Sequence, residues 1–173
     1  MSERLWIREE GFGEDAWDVV PDDVALPDQG SVIVSSARLQ EARETNALRL
    51  GVSLEPGEPV EDIVDHLGRV SLVSLPFPAF TDGRSYSAAR LLRERHGFKG
   101  EIRARGDVLI DQIPLMLRCG FTSFVVSHGP TLKALESGRL PEVPLYLQPV
   151  DSENEMRVGP RPWLRRRTPA TAD

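Results

Sequence analysis

The segment Thr81-Asp82-Gly83-Arg84 holds the residues best suited to chemistry in this chain. Asp82 could move a proton as a general acid or base, and Arg84 could hold an anion together with the first backbone N–H groups of a helix. We expect Gly83 to allow a turn with positive φ. The structural alternative is that Asp82 only caps the helix and that Arg84 pairs with Asp82 or with Asp107.

Three further polar residues follow predicted strands or begin helices. Asp107 comes after the strand at 101–105, so it is a second candidate for proton transfer, or else a helix cap. His128 follows the strand at 122–126 and is the one histidine at a strand end, although no neighbour in sequence fits as its nucleophile. Tyr86 lies one turn into the helix, where packing is a more common role than proton donation. We expect His128 and Tyr86 to contact a bound ligand beside Arg84 and Gly83.

Alternating apolar runs and amphipathic segments must position these residues. The sequence predicts strands at 31–35, 48–54, 70–75, 101–105 and 122–126, with helical segments between them. Parallel strands need crossovers, and helices supply them, so we expect an α/β fold with a parallel sheet of repeated β-α units. An open doubly wound sheet and a partial (β/α) barrel both fit this pattern, and ligands would bind at the carboxyl ends of the strands.

The helix ends carry a repeated signal. The helix predicted from Pro59 has apolar residues at 60, 63, 64 and 67. Two later helices end at Gly97-Phe98 and at Gly120-Phe121. We expect Gly97 to adopt the left-handed conformation and Phe98 to fold back on Leu92.

The chain of 173 residues divides at about residue 150. We expect residues 1–150 to form a single α/β domain, with a short N-terminal β element to about residue 27. Residues 151–173 carry four acidic residues, five basic residues and three prolines. This tail has too few apolar residues to form a core, so we expect it to be disordered and its Arg165-Arg166-Arg167 cluster to be solvated.

Composition excludes several classes of function. The net charge is −6 and the isoelectric point is near 5.2, which argues against general binding of nucleic acid or of a membrane surface. A single cysteine, Cys119, excludes an internal disulfide and a cysteine-rich metal site. There is no dinucleotide, phosphate-loop or hydrolase-triad motif and no apolar run of membrane length. We therefore expect a cytoplasmic protein without a metal or cofactor of its own.

The segment Phe77–Gln112, together with Arg118-Cys-Gly-Phe121, resembles a known bacterial family. This family of unknown function is encoded beside assimilatory sulfite reductase, and its members are often described as probable oxidoreductases of sulfite reduction. The segments FTDGR, GFKGE and RCGF match its pattern, and the resemblance extends over roughly residues 3 to 149. The matching motif positions are Phe77, Phe80, Asp82, Gly83, Arg84, Tyr86, Ser87, Arg90, Asp107, Asp111 and Gln112. Where the family has paired aromatics after this glutamine, the chain has Ile113-Pro114-Leu115.

The resemblance implies a role near the reduction of sulfite to sulfide, and it adds Gln112 to the ligand-binding candidates. Redox work needs a cofactor or a thiol pair, and the sequence shows no motif for either, so we expect a partner's cofactors to handle the electrons. The leading hypothesis is an accessory protein that contacts sulfite reductase through Phe77 and Phe80.

The alternatives are a small oxyanion-binding enzyme and a homo-oligomerisation module. In the enzyme, Arg84 would hold a sulfur or phosphate oxyanion while Asp82 or Asp107 moved a proton. An exposed apolar patch around Phe77 and Phe80 would favour docking, whereas a deep polar cleft would favour a ligand. The residues leave open whether the chain is an enzyme.

Overall fold

The computed structural model describes residues 3–45, 48–141, 155–158 and 160–167. Eight strands form one mixed sheet, in the spatial order β2-β1-β8-β7-β6-β5-β4-β3, that curves into a half-barrel. They are β1 (Arg4–Ile7), β2 (Gly11–Gly13), β3 (Asp18–Val19), β4 (Gly30–Ser35), β5 (Leu48–Ser53), β6 (Val70–Phe77), β7 (Glu101–Gly106) and β8 (Ser123–Val126).

The α/β class is confirmed, and the partial barrel is the right one of the two predicted arrangements. Strands β3 to β8 are parallel neighbours in chain order, so the order never reverses as it does in a doubly wound sheet. The sheet is not wholly parallel, which corrects the prediction. Strand β1 pairs antiparallel with β8, and β2 pairs antiparallel with β1, because the N-terminal hairpin adds to the last parallel strand rather than to the first.

Helical segments connect the parallel strands from β4 to β8, and one more helix follows β8. They are a 3₁₀ turn at Ser36–Arg38 leading into α1 (Leu39–Arg43), a 3₁₀ helix at Val60–His66, α2 (Arg84–Arg90) continuing through a π-helical turn at Leu91–Arg95, α3 (Ile113–Cys119) and α4 (Gly129–Glu136). The helix predicted after Pro59 is therefore a 3₁₀ helix, in which residues three apart share a face. Val60 and Ile63 are its buried residues. None of the helices in the described part of the chain is long and apolar enough to cross a membrane.

The predicted helix ends are confirmed. Gly97 has φ of 62°, and the N–H of Phe98 donates to the carbonyl of Leu92 at 2.8 Å. Gly120 has φ of 103° and is followed by Phe121, which is buried. In both places a left-handed glycine turns the chain back, so that the following phenylalanine packs against the helix it has just left.

The helices cover one face of the sheet, which we call the helix face. Alternate residues of the central strands point into it, among them Leu75 and Phe77 of β6 and Phe124 of β8, and they pack with Leu92 and Met116 from the helices. The residues between them point to the opposite face.

The opposite face is built differently. It holds a small apolar cluster of Trp17, Ile33 and Leu72. Beside this cluster, the guanidinium of Arg103 pairs with Asp15 at 2.7 Å and with Glu101 at 2.9 Å. Asp15 and Trp17 belong to the segment between β2 and β3, so the N-terminal region crosses this face.

The tail differs from expectation in its described residues. Strands β9 (Glu155–Val158) and β10 (Arg161–Arg167) form a separate antiparallel two-stranded sheet, so the prediction of disorder was wrong for them. The physical reason is local, because Pro160 lies in a turn between the two strands, and proline favours turns. The predicted domain boundary near residue 150 lies outside the described residues.

Candidate functional site

The carboxyl ends of β5 and β6 carry the candidate site. Two loops leave the sheet there, one at 54–58 and one at 78–83, and a pocket of about 110 Å³ lies between them. The residues that line it are Leu54, Glu55, Pro56, Gly57, Glu58, Leu75, Pro76, Asp82, Arg84, Ser85 and Ala88. Asp82 and Arg84 of the predicted set therefore meet in one place.

The 54–58 loop is a tight turn that closes on Arg84. The N–H of Glu55 donates to Oε2 of Glu58 at 2.7 Å, and the hydroxyl of Ser36 donates to Oε1 of the same carboxylate at 2.9 Å. Gly57 has φ of 97°, and a Cβ added there would lie 2.8 Å from Nη1 of Arg84. The turn therefore needs glycine both for its backbone conformation and for the close approach of the guanidinium.

Asp82 and Arg84 form an ion pair with each other. One carboxylate oxygen of Asp82 accepts hydrogen bonds from the backbone N–H of Arg84 at 3.1 Å and from its Nε at 3.0 Å. These bonds lower the pKa of Asp82 to about 2. A carboxyl group with so low a pKa is a poor general acid or base near neutral pH. The geometry therefore supports the structural alternative, in which Asp82 orients Arg84 at the start of α2.

Sequence reasoning missed Arg105 and Glu58. At the end of β7, Nη2 of Arg105 donates to the carbonyl of Leu54 and to Oε1 of Glu55, both at 2.9 Å. Its Nε is buried and has no hydrogen-bond partner among the described residues. One feature of the sequence could have indicated Arg105. Side chains alternate along a strand, so the arginines at 103 and 105 must lie on the same face of the sheet.

The charges around the pocket do not favour an anion. Three carboxylates, those of Glu55, Glu58 and Asp82, meet two guanidiniums, those of Arg84 and Arg105. The balance is −1, and each guanidinium already has a carboxylate partner. A bound oxyanion would have to compete with these internal ion pairs.

Comparison with known proteins identifies the family. The profile of a family described as "Bacterial protein of unknown function (DUF934)" matches residues 51–154, which is more than half of the chain. The chain belongs to the DUF934 family. No curated protein matches it. The DUF934 match includes both pocket loops, whereas β1 to β4 precede it and β9 and β10 follow it.

The remaining candidates lie outside the pocket lining. Asp107 donates its backbone N–H to the carbonyl of Phe77 at 2.7 Å. His128 precedes α4, where its Nδ1 lies 2.9 Å from the hydroxyl of Thr131. Gly83 has φ of −94°, so the prediction of a positive φ there was wrong. The turn at Ala79–Asp82, closed by a 3.0 Å hydrogen bond, already redirects the chain before Gly83.

Tyr86 and Gln112 serve the packing around these loops. The ring of Tyr86 makes an edge-to-face contact with Phe77 at 5.1 Å between centroids, and burial raises the pKa of its hydroxyl to about 12. Gln112 is buried, and its Nε2 donates to the backbone carbonyl of Phe80 at 3.2 Å. Gln112 thus holds the 78–83 loop directly, whereas Tyr86 packs on the end of β6, where the loop begins.

The two phenylalanines that we expected to contact a partner differ in burial. Phe77 is fully buried and contacts the rings of Tyr86 and Phe121, so the prediction that it contacts a partner was wrong. The reason is strand alternation, because Phe77 follows Leu75 by two residues and points to the same helix face. Phe80 lies in the loop beyond the strand and is 54% exposed.

No group of three or more His, Cys, Asp and Glu side chains in the described residues is arranged to hold a metal ion. The described carboxyl edge of the sheet carries a small polar pocket beside the exposed ring of Phe80. The charged side chains around this pocket form ion pairs with one another.

Proposed function

We propose that this protein is an accessory protein of assimilatory sulfite reduction that docks on sulfite reductase through the loop at 78–83. The observation that carries the proposal is the exposed ring of Phe80 at the carboxyl edge of the sheet. The resemblance of Phe77–Gln112 to the family encoded beside sulfite reductase supplies the identity of the partner. The partner's cofactors would handle the electrons.

The loop is held in place before any partner binds. Gln112 binds the carbonyl of Phe80, the N–H of Asp82 donates to the carbonyl of Ala79 at 3.0 Å, and the carboxylate of Asp82 is fixed by Arg84. An aromatic side chain on a fixed backbone loses little conformational freedom on binding. Such side chains are the usual anchors of protein interfaces.

The alternative of a small oxyanion-binding enzyme has less support. The pocket is about 110 Å³, whereas ligand sites commonly occupy roughly 300–1,000 Å³. Its charge balance is acidic, and the candidate acid Asp82 has a pKa of about 2. These three properties favour docking over binding of a small anion.

The test is co-expression with the sulfite reductase of the same organism, followed by size-exclusion chromatography and native mass spectrometry. We expect a stable complex, and we expect Phe80→Ala to weaken it by about tenfold or more, as the loss of an interface anchor does. Val24→Ala is the matched control, because Val24 is an apolar residue that is 49% exposed in the N-terminal region.

Either of two results would overturn the docking proposal. One is the absence of a complex, and the other is an unchanged affinity of the Phe80→Ala variant. A small molecule retained by the isolated chain in native mass spectra would instead support the oxyanion-binding alternative.

A further inference from the structure

The segment that follows β7 runs beside the loop at 78–83. The N–H of Asp107 donates to the carbonyl of Phe77 at 2.7 Å, and Nε2 of Gln112 donates to the carbonyl of Phe80 at 3.2 Å. These two hydrogen bonds tie both ends of the segment 107–112 to the end of β6 and to the loop. The surface around the exposed ring of Phe80 therefore includes residues 107–112 and the beginning of α3.

Leu115 extends the apolar part of this surface. Its side chain is 43% exposed, whereas Ile113 and Met116 of the same helix are buried in the core. Leu115 follows Gln112 by three residues, which is about one helical turn, so the two residues are neighbours on the helix surface. Because Gln112 contacts the loop, Leu115 and Phe80 belong to adjoining segments of one exposed surface.

Two aspartates give this surface a negative charge that the chain does not neutralise itself. In the described residues, the carboxylates of Asp107 and Asp111 form no ion pair and no hydrogen bond. The N-cap residue of α3 is Gln112, and no side chain makes a capping hydrogen bond there, so neither aspartate caps the helix. The two carboxylates are therefore available to cations of another molecule.

We propose that this surface recognises a protein face that has an apolar pocket flanked by lysine or arginine side chains. Phe80 and Leu115 fill the pocket, and Asp107 and Asp111 pair with the flanking cations. Such an arrangement, with apolar anchors inside a polar rim of complementary charge, is typical of protein interfaces. The inference rests on the proposed docking function and specifies the chemistry of the partner.

Other occupants fit this surface less well. The two unpaired carboxylates would repel the phosphates of nucleic acid and of an anionic membrane. A second copy bound through the same surface in a symmetric dimer would bring four carboxylates into one interface. Because like charges in an interface disfavour association, a partner with a basic face is the better match.

The test is the affinity of the full chain for the sulfite reductase of the same organism, measured by isothermal titration calorimetry at about 50 and 500 mM salt. We expect Leu115→Ala to raise the dissociation constant by about threefold or more. We expect the double variant Asp107→Asn, Asp111→Asn to raise it by about tenfold at the lower salt concentration and by much less at the higher one, because salt screens exposed charges.

Matched controls alter the same kinds of side chain elsewhere. Val19→Ala shortens an apolar residue that is 71% exposed on β3. The double variant Glu9→Gln, Asp28→Asn changes the net charge equally at exposed positions near the amino ends of the parallel strands. Neither control should change the affinity. Thermal melts establish that each variant is folded, and Asp111→Asn alone, at an exposed position, supplies the charge test if the double variant melts early.

The possible failures are distinguishable. The absence of any complex would overturn both the docking function and this inference. A complex that is weakened by Phe80→Ala, but not by the Leu115 and aspartate variants, would overturn this inference alone. Tighter binding after the aspartates are neutralised would show that the partner face is acidic. A homodimer that Phe80→Ala dissociates would assign the surface to a second copy of the chain, and it would overturn the inference too.

Discussion

The two faces of the sheet are stabilised in different ways. On the helix face, the rings of Phe77, Phe121 and Phe124 form a continuous series with centroid distances of 5.6 and 6.4 Å. On the opposite face, the guanidinium of Arg103 is only 3% exposed and is held by two carboxylates. Apolar packing tolerates many exchanges of similar volume, whereas a buried ion pair accepts few replacements at either partner. The helix face holds most of the buried apolar residues, so we expect it to provide most of the stability, and we expect the ion pairs of the opposite face to fix where the N-terminal segment lies.

Gly51 allows this segment to approach the opposite face closely. A Cβ at Gly51 would lie 3.0 Å from Cγ1 of Ile33 and 3.2 Å from Cζ3 of Trp17. The guanidinium of Arg49 also lies over the indole, 4.6 Å from the ring centroid. The Trp17 ring thus approaches the strand backbone at Gly51 and makes a cation–π contact with Arg49.

The largest effect should come from the helix face. Phe124→Ala removes a fully buried ring that contacts Trp6 and Phe121, and we expect the free energy of unfolding to fall by about 3–5 kcal/mol. Denaturant titration measures this loss, and Phe80→Ala, at an exposed ring, should change stability by less than about 0.5 kcal/mol. An equal loss of unfolding free energy in both variants would contradict the expectation that the helix face provides most of the stability.

The next effect tests the ion pairs of the opposite face. Arg103→Met leaves the carboxylate of Glu101 without its cation, and we expect a loss of about 3 kcal/mol in the free energy of unfolding. The double variant Glu101→Gln, Arg103→Met should regain much of this loss, because no buried charge is then left uncompensated. Strictly additive losses in the denaturation experiment would show that the two side chains act independently.

A smaller effect is expected at the loop where β5 ends. Gly57→Ala must place a Cβ at φ of 97° and displace Arg84, and we expect it to cost about 1–2 kcal/mol of unfolding free energy. Gly68→Ala is the matched control, because a Cβ there meets nothing within 4 Å and the backbone does not have a positive φ. Thermal melts of the two variants should differ, and coincident melts would mean that the loop adapts freely.

The smallest effect concerns pH. The pKa of Asp82 is about 2 in the folded chain and 3.8 ordinarily, so its contribution to stability is present above about pH 4 and is lost as the pH falls toward 2. We expect the melting temperature of Asp82→Asn to be lower than that of the unchanged chain at about pH 6. The gap should narrow at about pH 3, and a constant gap would show that the Asp82 charge is not responsible.

The sequence predicted what depends on neighbouring residues. The glycines at 97 and 120 were identified because a helix end is encoded within a few positions. The contact between Asp82 and Arg84 was foreseen as one alternative, since the two residues are two positions apart. The contact between Arg105 and Glu55 was not predicted, because it depends on the curvature of the sheet, which brings the ends of β5 and β7 together across β6.

Phe77 is a second example of a residue whose environment could not be predicted from the sequence. The motif includes both Phe77 and Phe80 and does not distinguish them. Phe77 is buried and Phe80 is exposed because of the pleat of β6 and the placement of the helices on one face of the sheet. The antiparallel addition of β1 to β8 also could not be read locally, because the pairing joins residues about 120 positions apart.

The pairing of β1 with β8 has a consequence for the order in which the strands fold during synthesis. Strand β1 is synthesised before the other strands of the sheet and can pair with β2 at once, yet Arg4 is in register with Val126, so its second partner strand, β8, exists only after most of the sheet has been translated. Domains form during synthesis, and contacts between distant positions form slowly. Strand β1 is therefore among the last of the eight strands to be placed in the sheet, and the six parallel strands must assemble before the sheet gains its edge of β1 and β2.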